Sequence, residues 1–235
     1  MRLVVILCAY VLLYPYIYTQ EEQSNQFLSD EHTVLLLHFD EGVGDIVNDA
    51  SSYGNNGEAN YVKWTKKGKF GDAIAFNGYM NVCIPDNDSL DLTNDFTVEA
   101  WICLDSKASI YNFRSIVIKS NTELKNRYKG VFIIKILYEV NYLKVTIHND
   151  SDTYELISDE ILEPNKYYHV GFSFKDGLLK LIINGKVVNS GEAPFEKLTN
   201  EEFNMDDIYI GNNWTNIAPF CGIIDEIRIS NIARY

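Results

Sequence analysis

The feature that most constrains this chain is a two-residue hydrophobic alternation, which begins at Thr33 and recurs along the rest of the sequence. In the segment 96–104, for example, Phe96, Val98 and Ala100 fall on one side and polar or mixed residues fall on the other. A period of two places alternate side chains on opposite faces of an extended strand. No segment shows the 3.6-residue stripe of an amphipathic helix, so the chain is predicted to be all-β.

Turn-forming residues separate the alternating segments. Asn-Gly pairs at 77–78 and 184–185 and an Asp-Gly pair at 176–177 are typical of tight hairpin turns. The predicted strands lie at 34–39, 73–76, 81–84, 96–104, 115–119, 130–138, 143–149, 154–157, 167–175, 178–183, 207–211 and 221–230. Short strands at regular spacing are typical of a sandwich or barrel, so we expect an antiparallel two-sheet β-sandwich of about 12–13 strands.

The chain begins with a segment that differs from the rest. In residues 1–20, Arg2 precedes an apolar run from Leu3 to Leu13, the pattern of a secretory signal peptide. The apolar stretch is marginal for a membrane-spanning helix, so an uncleaved N-terminal anchor is the alternative. Residues 21–32 are polar and patternless and are predicted to form a tether, followed by one domain over residues 33–235. We therefore expect a secreted or extracellular protein, attached to the cell surface if the anchor is retained.

The charge balance excludes one class of partner. The chain has 33 acidic and 20 basic residues and a formal net charge of −13. Such a chain repels phosphate backbones, which argues against nucleic acid as a partner. The charge either serves solubility or reflects cation binding at local carboxylate clusters.

Several short segments, taken together, resemble one known family. The chain is similar to the laminin-G-like jelly-roll domains of the concanavalin A-like lectin/glucanase superfamily. The segments that carry the resemblance, in order, are LHFDEG (37–42), GKFGDAIAFNG (68–78), FTVEAWI (96–102), INGK (183–186) and GIIDEIRI (222–229). The resemblance implies a concanavalin-like jelly roll over 33–235. It does not select one function, because this fold carries lectins, adhesion modules, accessory domains of enzymes and structural proteins.

The resemblance also implies a structural calcium near the long first loop at 40–61. Asp225 alternates with isoleucines such as Ile227 in the last predicted strand, and a carboxylate buried among them needs a partner. Calcium takes six to eight oxygen ligands, and the candidates are Asp49, Asn55 and Asp225. The alternative is a buried Asp225 that is satisfied by hydrogen bonds without a metal.

A second acidic cluster contains Asp86, Asp88, Asp91 and Asp95. Carboxylates at this spacing are typical of a solvated turn at the end of a strand, and weak calcium binding is the alternative reading.

Two tryptophans are candidate sugar-binding residues. Trp64 and Trp214 lie in predicted loops, where an indole ring is free to stack on a sugar, whereas Trp101 lies within a framework motif of the family. Packing at the rim of the core is the alternative role for both.

Cys83, Cys103 and Cys221 remain if the signal is removed, and an odd number predicts one bridge and one free or intermolecular thiol. In the family that the chain resembles, the strands at 96–104 and 221–230 are antiparallel neighbours. The resemblance therefore implies a Cys103–Cys221 disulfide.

No catalytic arrangement is evident. Glucanases of this superfamily carry a Glu-x-Asp-x-Glu strand that presents carboxylates on one face for glycoside hydrolysis, and no such triplet occurs here. Asp225 and Glu226 are adjacent, which predicts that they face opposite sides of the sheet. We expect no catalytic residues.

The leading hypothesis is a secreted, non-catalytic module that binds glycans or extracellular protein partners and holds calcium in a structural role. One alternative is a self-associating subunit of an extracellular layer, filament or shell, which the odd cysteine favours. The other is a polysaccharide-active enzyme with an unfamiliar carboxylate pair.

Overall fold

The computed structural model describes residues 26–106, 113–120, 130–137, 140–149, 151–198, 206–212 and 219–235. Within these ranges the chain forms sixteen strands and a single turn of 3-10 helix at Asp88–Leu90. The strands are β1 (Thr33–Leu37), β2 (Ile46–Val47), β3 (Gly57–Asn60), β4 (Lys63–Thr65), β5 (Ala73–Asn77), β6 (Asn81–Ile84), β7 (Phe96–Leu104), β8 (Phe113–Ser120), β9 (Gly130–Leu137), β10 (Tyr142–His148), β11 (Thr153–Ile161), β12 (Tyr167–Lys175), β13 (Leu178–Ile183), β14 (Lys186–Glu192), β15 (Ile208–Ile210) and β16 (Cys221–Ser230).

The strands form two antiparallel sheets of eight strands each. Sheet A has the order β14-β13-β12-β7-β16-β5-β4, with β1 also paired to β16, and sheet B has the order β11-β10-β9-β8-β15-β6-β3-β2. One hydrophobic core fills the space between the sheets and includes Phe96, Phe132 and Phe172, whose rings lie 5.6–5.8 Å apart. The predicted all-β antiparallel sandwich is confirmed.

Four of the sixteen strands lie outside the predicted set: β2, β3, β4 and β14. The first two lie inside the segment 40–61, which was expected to be one long loop. All four are short, partly exposed or rich in Gly, Asn and Glu, so they lack the hydrophobic alternation on which the prediction rested.

Strand β16 departs from regular geometry in its middle, and this changes which residues share a face. Its register against β7 shifts between Asp225 and Arg228, and Glu226 has a positive φ of 49°. This β-bulge adds one residue, so Ile227 and Ile229 face the core while Asp225 lies on the outer face opposite Trp101. The predicted shared face of Asp225 and Ile227 is therefore wrong, because strict alternation does not continue through a bulge.

The segment 26–32, predicted to be part of a polar tether, lies against sheet A. Phe27 is buried and packs with Leu36 and Trp101 on the face of sheet A that points away from the core. Its ring also lies 4.4 Å from the guanidinium carbon of Arg228. The proposed signal at 1–20 and the first part of the tether lie outside the described residues. No helix within the described ranges is long and apolar enough to cross a membrane.

Candidate functional site

The outer face of sheet A carries a group of buried or half-buried ionisable residues, here called the charge cluster: Glu99, His169, Arg228, Glu226 and His38. Glu99 is fully buried and accepts hydrogen bonds from Arg228 (Nε at 2.9 Å and Nη2 at 2.6 Å) and from the Tyr235 hydroxyl (2.6 Å). The His169 ring nitrogen lies 3.1 Å from the same carboxylate. Burial alone would raise the pKa of Glu99, but the hydrogen bond with His169 and the charge of Arg228 outweigh it and bring that pKa to about 2.

The bulge residue Glu226 holds the N-terminal segment against the sheet. Its carboxylate accepts hydrogen bonds from the side chain of Gln26 (2.9 Å) and the backbone N–H of Phe27 (3.3 Å), and His38 Nδ1 lies 2.9 Å away. The hydrogen bond with Glu226 raises the pKa of His38 above its ordinary value. Asp225 and Glu226 thus both reach groups on the outer face, and the prediction that they face opposite sides is wrong because of the bulge.

Glu99, Asp225 and Glu226 are all fully buried. Each of the three also has a close partner within the fold: Glu99 contacts Arg228 and His169, Glu226 contacts His38 and the N–H of Phe27, and Asp225 contacts the N–H of Phe70. These contacts tie strands β7, β12 and β16 to the segments that lie on the outer face of sheet A.

The three predicted calcium ligands do not come together. Asp49 and Asn55 are neighbours, since the Asn55 N–H donates to Asp49 Oδ2 at 2.8 Å. Strand β1, however, is paired to β16 on one side and bridged to Asp49 by Leu37 on the other, so it separates Asp49 from Asp225.

The remaining contacts of Asp49 also argue against a metal there. Its two oxygens accept four hydrogen bonds at 2.6–2.9 Å, from the N–H groups of Leu36, Ser51 and Asn55 and from the Ser51 hydroxyl. These bonds use the four lone-pair directions of a carboxylate. Asp49, Asn55 and Asp225 therefore do not fit one calcium site, and Asp49 fixes the first loop through hydrogen bonds instead.

Asp225 is buried, and within the described part of the chain no lysine or arginine pairs with its carboxylate. Burial raises its pKa to about 7, although the N–H of Phe70, 2.9 Å from Oδ2, acts in the opposite direction. Its other oxygen, Oδ1, has no hydrogen-bond partner. The surroundings of Asp225 therefore match the alternative that the sequence left open, a buried aspartate held by hydrogen bonds without a metal, although one of its oxygens is unsatisfied.

Asp225→Asn is expected to flatten the dependence of stability on pH. A folded-state pKa raised above the unfolded value of 3.8 gives stability that is complete below pH 3.8 and is lost as the pH rises through about 7. Relative to the wild type, the variant should gain about 2–3 kcal/mol in free energy of unfolding between about pH 5 and pH 8. Urea unfolding at both pH values measures this gain. Asp159→Asn at an exposed position is the control, and parallel curves for Asp225→Asn and wild type would contradict the assignment.

The ammonium group of a buried lysine lies beside the second acidic cluster. Lys119 is fully buried, and its ammonium lies 3.0 Å from the carbonyl of Leu90 and 3.5 Å from carboxylate oxygens of Asp86 and Asp91. Burial raises the pKa of nearby Asp206 to about 7, and the charge of Lys119 opposes that rise.

The other members of this acidic cluster lie away from the ammonium. Asp95 instead pairs with Lys175 at 3.1 Å, and Asp88 begins the 3-10 turn. The sequence offered no signal for Lys119, which lies on β8 and is separated by β15 from β6, the strand that precedes Asp86.

Trp64, one of the two predicted sugar-binding residues, lies half-buried at the rim of the core. It packs against the core from β4, and its Nε1 donates to the carbonyl of Gly44 at 3.1 Å. These contacts fit the alternative role given for this residue, which is packing at the rim of the core. Trp214 lies outside the described residues.

An open groove lies on the outer face of sheet A, at the end of the sheet away from Arg228. Its floor is a row of cross-strand neighbours on five adjacent strands: Lys63, Ala75, Ile223, Cys103 and Tyr167. Adjacent strands are about 4.8 Å apart, so the row spans about 19 Å. The groove encloses about 510 Å³, within the range of small-ligand sites.

Polar groups form the two walls of the groove. Strand β4 contributes Thr65, and the loop that follows it crosses the sheet and contributes Lys67, whose carbonyl accepts a hydrogen bond from the Tyr167 hydroxyl. Asp105 and Asn165 form the opposite wall. The groove thus combines a flat, partly apolar floor with donors and acceptors at its edges.

Cys103 and Cys221 are both free thiols, so the predicted disulfide is absent from the structure. Strands β7 and β16 are antiparallel neighbours as expected, but the register places Cys103 opposite Ile223 rather than opposite Cys221. Residues directly opposite each other on neighbouring strands are close enough for a cross-strand contact. Residues in a diagonal position, as Cys103 and Cys221 are, lie about 7–8 Å apart. Burial raises the pKa of both thiols, which leaves them protonated and weakly reactive.

Other surfaces fit a ligand less well. On the outer face of sheet B, Ile118, Ile133 and Tyr209 are buried, so the middle of that face is closed. A second depression of about 500 Å³ is lined by Asp45 and Glu58 next to Tyr61, whose side chain is 89% exposed. It lies at the short edge strand β2 and has no sheet floor comparable to the groove.

The two face-to-face antiparallel sheets define a jelly-roll sandwich of the concanavalin type. A family comparison agrees: the laminin G-type model of the concanavalin A-like lectin/glucanases superfamily matches residues 76–235. The chain belongs to this superfamily. A search of curated proteins finds no match.

Solved structures share the fold at low sequence identity. Domain 4 of AbnA, a GH43 extracellular arabinanase from Geobacillus stearothermophilus in complex with arabinotriose, has a TM-score of 0.65 at 20% identity and covers 86% of this chain and 93% of that domain. The binding domain of botulinum neurotoxin DC in complex with SialylT has a TM-score of 0.61 at 17% identity. The match covers 87% of this chain, which spans about half (49%) of the neurotoxin chain.

Proposed function

We propose that this protein is a secreted, non-catalytic glycan-binding module that holds its ligand in the groove of sheet A. The observation that carries the proposal is the open row of side chains on five strands, with a low floor at Ala75 and Ile223 and polar walls on both sides. Sugars bind where apolar ring faces meet a flat surface and hydroxyl groups meet donors and acceptors at its edge.

The comparisons support the choice of ligand. The arabinanase domain is described with arabinotriose, and one neurotoxin binding domain is described with SialylT. Cell entry of botulinum neurotoxin type C is described as dependent on two ganglioside molecules. Saccharides thus recur among proteins that share this fold.

The proposed non-catalytic role rests on the positions of the carboxylates. Among the described residues that line the groove, Asp105 alone has a carboxylate, whereas glycoside hydrolysis uses a pair. Glu99, Asp225 and Glu226 lie beneath the N-terminal segment and the loop at 66–70, where a glycan in the groove has no access to them. We therefore expect no release of reducing ends from polysaccharides.

Ala75→Phe tests the site directly, because a phenyl ring at the floor fills the groove while the polar walls remain. The purified protein is screened on a glycan array, and the strongest saccharide is titrated by calorimetry. Ala75→Phe is expected to weaken binding by at least about tenfold, or about 1.4 kcal/mol.

Tyr61→Ala is the matched control, since this exposed aromatic lies at the second depression. It should bind as the wild type does. Binding that survives Ala75→Phe and disappears in Tyr61→Ala would contradict the groove assignment. A protein that binds no saccharide and elutes as a large assembly on size exclusion would favour the subunit hypothesis.

A further inference from the structure

The segment that borders the groove on the β4 side has a charge opposite to that of the rest of the protein. Of the 20 basic residues in the chain, four lie within residues 63–69, at Lys63, Lys66, Lys67 and Lys69. The net charge of the whole chain is −13, so this is a local concentration of positive charge.

Two of these four lysines are already occupied. Lys66 forms an ion pair with Asp72 at 2.8 Å, and the Lys69 ammonium lies 4.8 Å from the ring centre of Trp101. Neither contributes to the lining of the groove.

The other two lysines do line it. Lys63 stands at the β4 end of the floor row, and Lys67 stands on the wall formed by the following loop. Both side chains are exposed, and neither forms an ion pair with a carboxylate of the described residues. Their ammonium groups are therefore available to a ligand.

The structure of the loop fixes where Lys67 lies. Its carbonyl accepts a hydrogen bond from the Tyr167 hydroxyl, and its N–H donates to Thr65 Oγ1 at 3.3 Å. These two contacts fix the backbone of Lys67 beside the groove, and its exposed side chain extends from that point.

From this arrangement we infer that the groove selects anionic saccharides, with Lys63 and Lys67 binding a carboxylate or sulfate group of the sugar. The inference rests on the proposed function, since it names the ligand class of the same site. Asp105 and Asn165 on the opposite wall meet the uncharged hydroxyl groups. The negative charge of the rest of the protein disfavours binding of an anion elsewhere on the surface.

Three probes separate the possibilities: an oligogalacturonide, which carries carboxylates, a heparin oligosaccharide, which carries sulfates as well, and a neutral arabino-oligosaccharide. Each is titrated into the wild type, into Lys63→Gln/Lys67→Gln, and into Lys186→Gln/Lys197→Gln. The last variant removes the same charge from two exposed positions away from the groove and is the matched control.

An anionic probe is expected to bind the wild type and the control with similar affinity and the groove variant at least about tenfold more weakly. Binding should also weaken as salt is added, because exposed charges are screened. The stronger of the two anionic probes identifies carboxylate or sulfate as the recognised group.

Three results would overturn the inference. If the neutral probe binds best and the lysine substitutions have no effect, the groove binds glycans without regard to charge, and only the inference fails. If an anionic probe binds the groove variant as tightly as the wild type, the anion lies elsewhere. If no saccharide binds in these titrations or on the array, the proposed function fails as well.

Discussion

Glu99→Ala is expected to lower the free energy of unfolding by about 3–5 kcal/mol, the usual result of removing one partner of a buried charge pair. The substitution removes the acceptor of four hydrogen bonds and leaves the guanidinium of Arg228 mostly buried without its counter-charge. Chemical denaturation at neutral pH measures the loss.

The effect should depend on pH in a defined direction. Because the folded-state pKa of Glu99 is about 2, below its unfolded value of 4.5, Glu99 stabilises the fold above pH 4.5 and this stability is lost as the pH falls through about 2. The difference between wild type and variant should therefore shrink in acid. Glu155→Gln is the control, since Glu155 is partly exposed and pairs with Lys144 on the surface. A surface pair contributes about 1 kcal/mol or less. A loss for Glu99→Ala no larger than this control would contradict the role of the charge cluster.

Lys119→Met is expected to cost a similar amount, about 3–5 kcal/mol at neutral pH. The ammonium neutralises Asp86 and Asp91 and lies near Asp206. Without it, these carboxylates repel one another, and the pKa values of Asp91 and Asp206, which the charge of Lys119 holds down, rise further. Stability that depends on raised carboxyl pKa values is lost as the pH increases, so the variant should be least stable in alkali and recover towards pH 5.

Lys175→Met provides the comparison, because Lys175 also pairs with an aspartate but its side chain is 58% exposed. This change should cost at most about 1 kcal/mol. Equal losses for the two variants, or a Lys119→Met variant that is unaffected by pH, would show that the buried ammonium has no special role.

Much of the fold was predictable because the alternation of side chains survives in the long strands. The predicted bounds of Phe96–Leu104, Tyr167–Lys175, Leu178–Ile183 and Cys221–Ser230 agree with the structure. These strands bury one or both faces, so their composition is constrained by the core. Edge strands such as β2 carry no such constraint.

The errors at the candidate site have a common physical cause, which is register. The β-bulge at Glu226 adds one residue and changes the faces of the residues on either side. A shift of one residue moves every following side chain to the other face. The Cys103–Cys221 prediction identified the correct pair of strands but not the register between them.

The groove itself could not be predicted from the sequence. Ala75, Ile223 and Cys103 become neighbours only through the pairing of three strands that are far apart in the chain. No local signal marks them, since each is a small or apolar residue in an ordinary strand. The lysines near position 65 were the available signal, because their density departs from the acidic balance of the chain.

Backbone amide NMR of the isotopically labelled protein, titrated with the best saccharide from the array, tests the central claim most directly. The account predicts that the shifted resonances concentrate at Ala75, Ile223 and Cys103 and along the loop at 65–67. Shifts confined to the depression around Tyr61, or to the outer face of sheet B, would contradict it.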